Sequence, residues 1–163
     1  SYSLPNTMKI SSILNEQLIQ VDIPGETKDD VINAIIDLAA QSDKVTDIDK
    51  VREAIFEREK IMSTGVGKGF AIPHGKTDAV TDIVAAFGIT KEPIDYKSLD
   101  HEPVRLLFLL IGKDSLVGAH IKLLSRISRL MNKEELRSSL LEAKTPADIL
   151  AILKEEELNY LDV

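Results

Sequence analysis

The sequence predicts a single α/β domain, a layered sandwich in which helices flank a small mixed β-sheet. Two observations lead there. Along the chain the apolar residues switch between a period of two and a period of 3.6, with no linker, repeat or low-complexity tract between the segments. The length of 163 residues suits one domain, and a 44% hydrophobic content is enough to cover both faces of a sheet. With no Trp and 4% aromatics, that core has to be built mainly from Ile, Leu, Val and Ala.

Residues 10–14 read as a short turn of helix leading to a strand at Gln17–Ile23, which Pro24 and Gly25 stop. Thr27 can cap a helix whose apolar residues Val31, Ala34, Ile35, Leu38 and Ala39 recur on one face. A polar break from Gln41 to Thr46 precedes a second helix, with Asp47 near its start and Ile48, Val51 and Ile55 inward. The segment Ser63–Gly75 carries glycines at 65, 67 and 69, and each would cost about 1 kcal/mol relative to Ala inside a helix. It reads instead as a flexible loop feeding a short strand at Phe70–Pro73. Further strands are expected at Ile83–Thr90 and Val104–Ile111, the second apolar on both faces as a covered central strand is. Helices over about 116–131, 133–142 and 146–157 complete the chain. Thr145 serves the last as N-cap and Pro146 as its first helical residue.

Composition narrows the function classes. A net charge of −7 and a pI near 5.0 argue against general binding to nucleic acid or anionic membranes. The absence of Cys excludes a disulfide framework, a thiolate metal site and a Cys nucleophile, and fits a reducing cytoplasm. The longest apolar run, Leu106–Ile111, is too short to cross a bilayer, and no basic segment followed by an apolar one opens the chain. The expectation is a cytoplasmic domain without direct membrane insertion. Residues 1–7, ahead of Met8, are expected to be a disordered or extraneous lead.

The chain has three histidines. His74 lies between Pro73 and Gly75: the proline restricts the chain before it, and the glycine permits a sharp turn after it. That frame presents an imidazole at a strand end beside the glycine segment; the alternative is a surface histidine in a turn. His120, Leu123, Leu124, Ile127 and Met131 share one helix face, so His120 belongs to an inward stripe near the helix start. There it is either a core residue or, if the strands bring the rings together, a partner of His74. His101, between Asp100 and Glu102, reads as a solvated bystander. Arg58 and Glu59 close the second helix, where a cation can balance an anionic ligand and a carboxylate can orient it; a solvated helix end is the plainer reading. Ser63 and Thr64 can donate to phosphate oxygens or simply shape the turn.

Several familiar templates fail. Gly67-Lys68 lacks the Ser/Thr and the upstream glycine of a phosphate loop, and the glycines form no dinucleotide fingerprint. No nucleophile-elbow serine and no metal cluster with recognisable spacing is present. No cofactor is expected.

The run from Arg58 through Lys76, REKIMSTGVGKGFAIPHGK, resembles the active-site signature of enzyme IIA domains of the bacterial phosphotransferase system. The likeness is to the fructose/mannitol class, which includes the nitrogen-regulatory IIA proteins, and it extends from about Ile10 to Leu153. It implies that His74 is the phosphorylated residue, that His120 is the second active-site histidine and that Arg58 is the helix-end arginine; Glu59 and Ser63 also match. Lys68 and Phe70 stand where the family pattern is more variable or aliphatic, and neither removes a reactive group. On this resemblance Arg58, the Ser63 hydroxyl and the backbone N–H groups of Gly65–Gly69 would cradle the phosphoryl oxygens, with His120 donating to them. The implied donor is phosphorylated HPr or a related carrier. The implied acceptor is a IIB component, often phosphorylated on cysteine; this chain has no Cys, so that acceptor lies on another polypeptide or domain.

The expected function is therefore phosphoryl transfer from phospho-HPr through His74 to a IIB component during sugar uptake. The alternative is a nitrogen-regulatory IIA protein whose phosphorylation state controls partners. A small ligand-binding domain with structural histidines is the unrelated third reading.

Overall fold

The computed structural model describes residues 9–161, so the expected lead at 1–7 lies outside the described residues. The chain opens with a single turn, α1 (Ile10–Ile13), and a 3-10 turn at Glu16–Leu18. The predicted first strand therefore begins later, as β1 (Ile19–Ile23), because the Asn15 side chain accepts from the Gln17 N–H and holds the preceding residues in a turn. Helix α2 (Lys28–Ala39) starts at the expected Thr27 in a capping box with Asp30, and buries Val31, Ile35, Leu38 and Ala39. Helix α3 (Ile48–Ile61) is capped by Asp47, buries Val51 and Ile55 and ends with Arg58 and Lys60 in its last turn, where cations suit the helix dipole.

The glycine segment is not a loop. It forms a hairpin of β2 (Gly65–Gly67) and β3 (Phe70–Ala71), turned by three successive residues in the left-handed region: Gly67 at φ 108°, Lys68 at 60° and Gly69 at 80°. A separate strand β4 (His74–Lys76) follows, then β5 (Val84–Ile94) and β6 (Val104–Gly112). Helices α4 (Val117–Met131), α5 (Glu134–Glu142) and α6 (Pro146–Leu161) complete the chain, within a residue of the expected starts. The last runs four residues beyond the expected end at 157. Among the described residues no helix is long and apolar enough to cross a membrane.

The sheet has six strands in the order β1-β5-β6-β3-β2, with β4 also on β6. It is mixed: β5 is antiparallel to β6, β1 parallel to β5, and β3 and β4 both parallel to β6. Strands β3 and β4 are two pieces of one line, because Phe70 pairs with Leu106, Ala71 with Leu107 and, in the same register, His74 with Leu110. The interruption falls at Pro73, which has no N–H to give; its carbonyl still accepts from the Leu110 N–H at 3.1 Å. Every residue from Leu106 to Ile111 is buried, and since neighbours on a strand face opposite sides, both faces of the sheet are covered.

Candidate active site

The site begins at the end of α3. Successive helical residues diverge by about 100°, so Arg58 and Glu59 leave the helix in different directions. Arg58 lines an open cleft and donates from Nη1 to the Met62 carbonyl at 2.7 Å, tying its guanidinium to the helix end. Glu59 turns inward and is 8% exposed. Its carboxylate accepts from the Thr64 N–H at 2.7 Å and from Thr64 Oγ1 at 2.6 Å, and pairs with Lys28 Nζ at 2.9 Å. Tyr96 stands beside it with its hydroxyl 2.9 Å from Thr64 Oγ1, while the Lys28 ammonium lies 4.7 Å above the Tyr96 ring. Burial, then the Glu59 charge, pushes the Tyr96 phenol far above its ordinary value, so it stays a donor. Ser63 donates to the Tyr96 carbonyl at 3.3 Å and accepts from the Gly65 N–H at 3.1 Å. Neither Glu59 nor Ser63 lines the cleft.

His74 stands at a strand end as expected, but as the first residue of β4, after the break at Pro73, and not following a continuous strand over Phe70–Pro73. Gly75 permits a close approach: a Cβ on it would lie 3.1 Å from the Ala54 carbonyl carbon and oxygen, tighter than an ordinary contact, so α3 rests directly on β4. The His74 Nδ1 is 2.7 Å from the Ile72 carbonyl oxygen. A carbonyl can only accept, so Nδ1 carries the proton and Nε2 keeps its lone pair. Burial holds the imidazole below its usual pKa; the Ile72 carbonyl pulls upward, and Arg58 adds to the depression.

His120 enters from the first turn of α4 and is 4% exposed. Its ring centroid is 5.7 Å from that of His74, with the planes at 47°. Residues 46 apart in the chain thus meet because β4 and β6 run side by side and α4 begins just beyond the end of β6. Gly112 makes the room, since a Cβ there would come within 2.3 Å of His120 Nδ1. That nitrogen is buried without a hydrogen-bond partner among the described residues. An unpartnered lone pair costs less than an unpartnered N–H, so the His120 proton belongs on Nε2. Burial, with smaller contributions from His74 and Lys76, pushes its pKa down to about 4, so the ring is a neutral donor at pH 7.

The cleft holding these groups measures about 610 Å³. Arg58, Lys60 and Lys76 line it against Glu57 and Asp114, a local cationic excess in a chain of net charge −7. Lys76 was legible as a site residue, being two positions past His74 on one strand face; Asp114 carried no sequence signal. The expected cradle of Gly65–Gly69 N–H groups does not form. The hairpin tip sits at the start of β6, where Arg105 N and Leu106 N donate to the Gly69 carbonyl and Lys68 N donates to Asp100. Leu106 and Leu110, the partner of His74, are four residues apart, or roughly 13 Å along the strand. His101 is exposed in the loop before β6, at φ 63°. Among the described residues no group of three or more His, Asp or Glu side chains is placed to hold a metal ion.

A mixed six-stranded sheet that brings two histidine rings together beside a cleft with a local cationic excess defines a small α/β domain with one histidine-bearing site. Residues 12–156 match the family described as "Phosphoenolpyruvate-dependent sugar phosphotransferase system, EIIA 2", and the chain belongs to that family. It is 38% identical, over 90% of its length and 95% of the relative's, to the fructose-specific EIIA component of Haloferax volcanii. It is 37% identical, over 92% of its length, to part of the fructose-specific EIIABC component of Bacillus subtilis, of which it spans 24%. The crystal structure of nitrogen regulatory protein IIA-Ntr from Neisseria meningitidis superposes with a TM-score of 0.83 at 31% identity, covering 88% of this chain and 98% of that one.

Proposed function

We propose that this chain is a phosphoryl carrier that takes a phosphoryl group onto His74 Nε2 from a histidine-phosphorylated protein such as HPr and passes it to a IIB component during sugar uptake. The observation that carries the reading is the hydrogen bond from His74 Nδ1 to the Ile72 carbonyl, because it leaves Nε2 as the nucleophilic nitrogen. In the transfer the Nε2 lone pair forms a bond to phosphorus as the bond from phosphorus to the donor imidazole breaks, and the donor nitrogen recovers its electron pair. The His74 ring gains positive character, which the Ile72 carbonyl stabilises through the retained Nδ1 proton. Arg58 supplies charge-assisted hydrogen bonds to the phosphoryl oxygens, and Lys76 adds positive charge at the mouth of the cleft. His120 donates from Nε2 while uncharged, which supports the in-flight group without holding it as an ion pair would, as a reversible carrier needs. Ser63 and Glu59 support the loop and helix end from behind, not the phosphoryl oxygens.

Two features support the sugar-uptake reading: the family description and the 38% and 37% identities to fructose-specific components. The nitrogen-regulatory reading has support of its own in the 31% identity and close superposition of the Neisseria protein. Both place the same chemistry on His74 and differ in the acceptor. The test is intact-mass analysis after incubation with phosphorylated HPr, followed by mapping of the acid-labile site. One added phosphate on His74, absent from a folded His74→Ala variant, is the expected result. Phosphate retained by that variant ends the assignment. Onward transfer to a fructose-type IIB protein then separates uptake from regulation.

A further inference from the structure

We propose that the buried Glu59–Thr64 pair is a positioning device which, acting through Ile72, holds His74 in the tautomer that leaves Nε2 reactive. The reading deepens the carrier assignment and rests on it for its consequence. Four hydrogen bonds make three successive links from the core to the imidazole, the first of them double. Glu59 accepts from Thr64 Oγ1 at 2.6 Å and from Thr64 N at 2.7 Å. The Thr64 carbonyl accepts from the Ile72 N–H at 3.0 Å, outside the two residue pairs that join β2 to β3. The Ile72 carbonyl then accepts from His74 Nδ1 at 2.7 Å.

Each step has a physical reason. An ionised carboxylate is an acceptor only, and here it takes both donors of Thr64, so that residue has a single position relative to α3. Lys28 Nζ, 2.9 Å away, pairs with this carboxylate, which is only 8% exposed. Thr64 is itself 3% exposed, which keeps water from competing for these bonds. Its carbonyl fixes Ile72, and Pro73 restricts Ile72 to extended backbone. The Ile72 carbonyl is thereby aimed at Nδ1 before any phosphoryl group arrives. A histidine without such a partner exchanges between both neutral tautomers, and the form protonated at Nε2 has no lone pair there to react. Glu59 and Thr64 neither hydrogen-bond His74 nor line the cleft, so their hydrogen bonds reach the imidazole only through Ile72. The Glu59 charge also acts on the ring through space by raising its pKa, an effect Thr64→Val does not remove.

The test is imidazole 15N NMR of His74 in the unphosphorylated protein at a pH where the ring is neutral, with phosphoryl uptake measured in parallel. Wild type is expected to show Nδ1 protonated and Nε2 bare. Thr64→Val removes Oγ1 at constant shape, and Glu59→Gln removes the charge. Each should raise the Nε2-protonated fraction and slow uptake by roughly 2–10-fold, the range of one ordinary hydrogen bond. Thr64→Ser should restore both readouts. Tyr96→Phe removes a buried hydroxyl from the same cluster but leaves both Thr64–Glu59 bonds, and should lower stability without moving the tautomer. A folded Thr64→Val protein with the wild-type tautomer overturns the inference, as does an equal shift in Tyr96→Phe. If Thr64→Val does not fold, Glu59→Gln decides, and a wild-type His74 protonated at Nε2 refutes the proposal without any variant. A wild type that has the Nδ1 proton but takes no phosphate would sink the carrier reading and leave this one standing.

Discussion

Gly112→Ala moves the second histidine without altering it. Gly112 does not occupy the left-handed region, so alanine meets no backbone strain, and the whole effect falls on the His120 ring. The new Cβ would stand 2.3 Å from Nδ1, 2.9 Å from Cγ and 3.1 Å from Cε1. Nonbonded contacts of carbon relax near ~3.5–4.0 Å, so the ring has to withdraw by roughly 1 Å or more. It is packed at 4% exposure, and overpacking of this kind costs about 1–3 kcal/mol. For a chain of this length that lowers Tm by roughly 2–12 °C. A displacement of ~1 Å at a reacting centre can cost up to 100-fold in rate, so phosphoryl uptake should slow while His74 remains the acceptor. The assay is a double-mutant cycle with His120→Ala, read by thermal unfolding and by single-turnover uptake from phosphorylated HPr. In the His120→Ala background the clash is gone, so Gly112→Ala should be nearly neutral, giving a coupling of about 1–3 kcal/mol. Equal destabilisation in both backgrounds would refute the argument that Gly112 is there to seat the imidazole.

Other outcomes follow from the same geometry. Arg58→Ala removes the charged hydrogen bonds to the phosphoryl oxygens, and uptake should fall roughly 10–150-fold with the acceptor site still mapped to His74; an unchanged rate would remove Arg58 from the site. His120→Ala should slow transfer or change the lifetime of the phosphoprotein without abolishing labelling, as quench-flow and decay measurements can show. Acid sensitivity is set partly by the same ring. His120 has its pKa pushed down to about 4, so between the unfolded value near ~6.5 and that point the unfolded chain binds the extra proton. Stability therefore falls as pH drops through this window, by about 3 kcal/mol from His120 once below it, and the lowered pKa of His74 acts in the same direction. Urea midpoints of wild type and His120→Gln between pH 7 and 4 should converge as the pH falls; parallel curves would contradict the buried neutral ring.

The periodic elements were legible because periodicity is a local property. Thr27 with the stripe Val31 to Ala39, Asp47 before α3 and Pro146 opening α6 all identify themselves by spacing and capping chemistry alone. The glycine segment was not, because glycine disfavours strands in general and the hairpin exists only where Gly65 and Gly67 lie against Phe70 and Ala71. The same misreading placed a phosphate cradle in that segment, although its tip turns away at the far end of β6.

The reactive residue types were set by the chain alone: a histidine framed by proline and glycine, a second on an inward helix face, and an arginine ending a helix. Their relation was decided by packing. The sequence carries no distance between His74 and His120, which meet at 5.7 Å because two interrupted strands share one register beside β6 and Gly112 leaves room for a ring. Nor does it say that adjacent Arg58 and Glu59 serve different surroundings, one in the cleft and one in a buried network with Lys28, Thr64 and Tyr96. Residue identity and local periodicity are carried by near neighbours in the chain. Which nitrogen of His74 holds its proton depends on a carbonyl whose position is itself held from the core, and a one-dimensional pattern does not contain that arrangement.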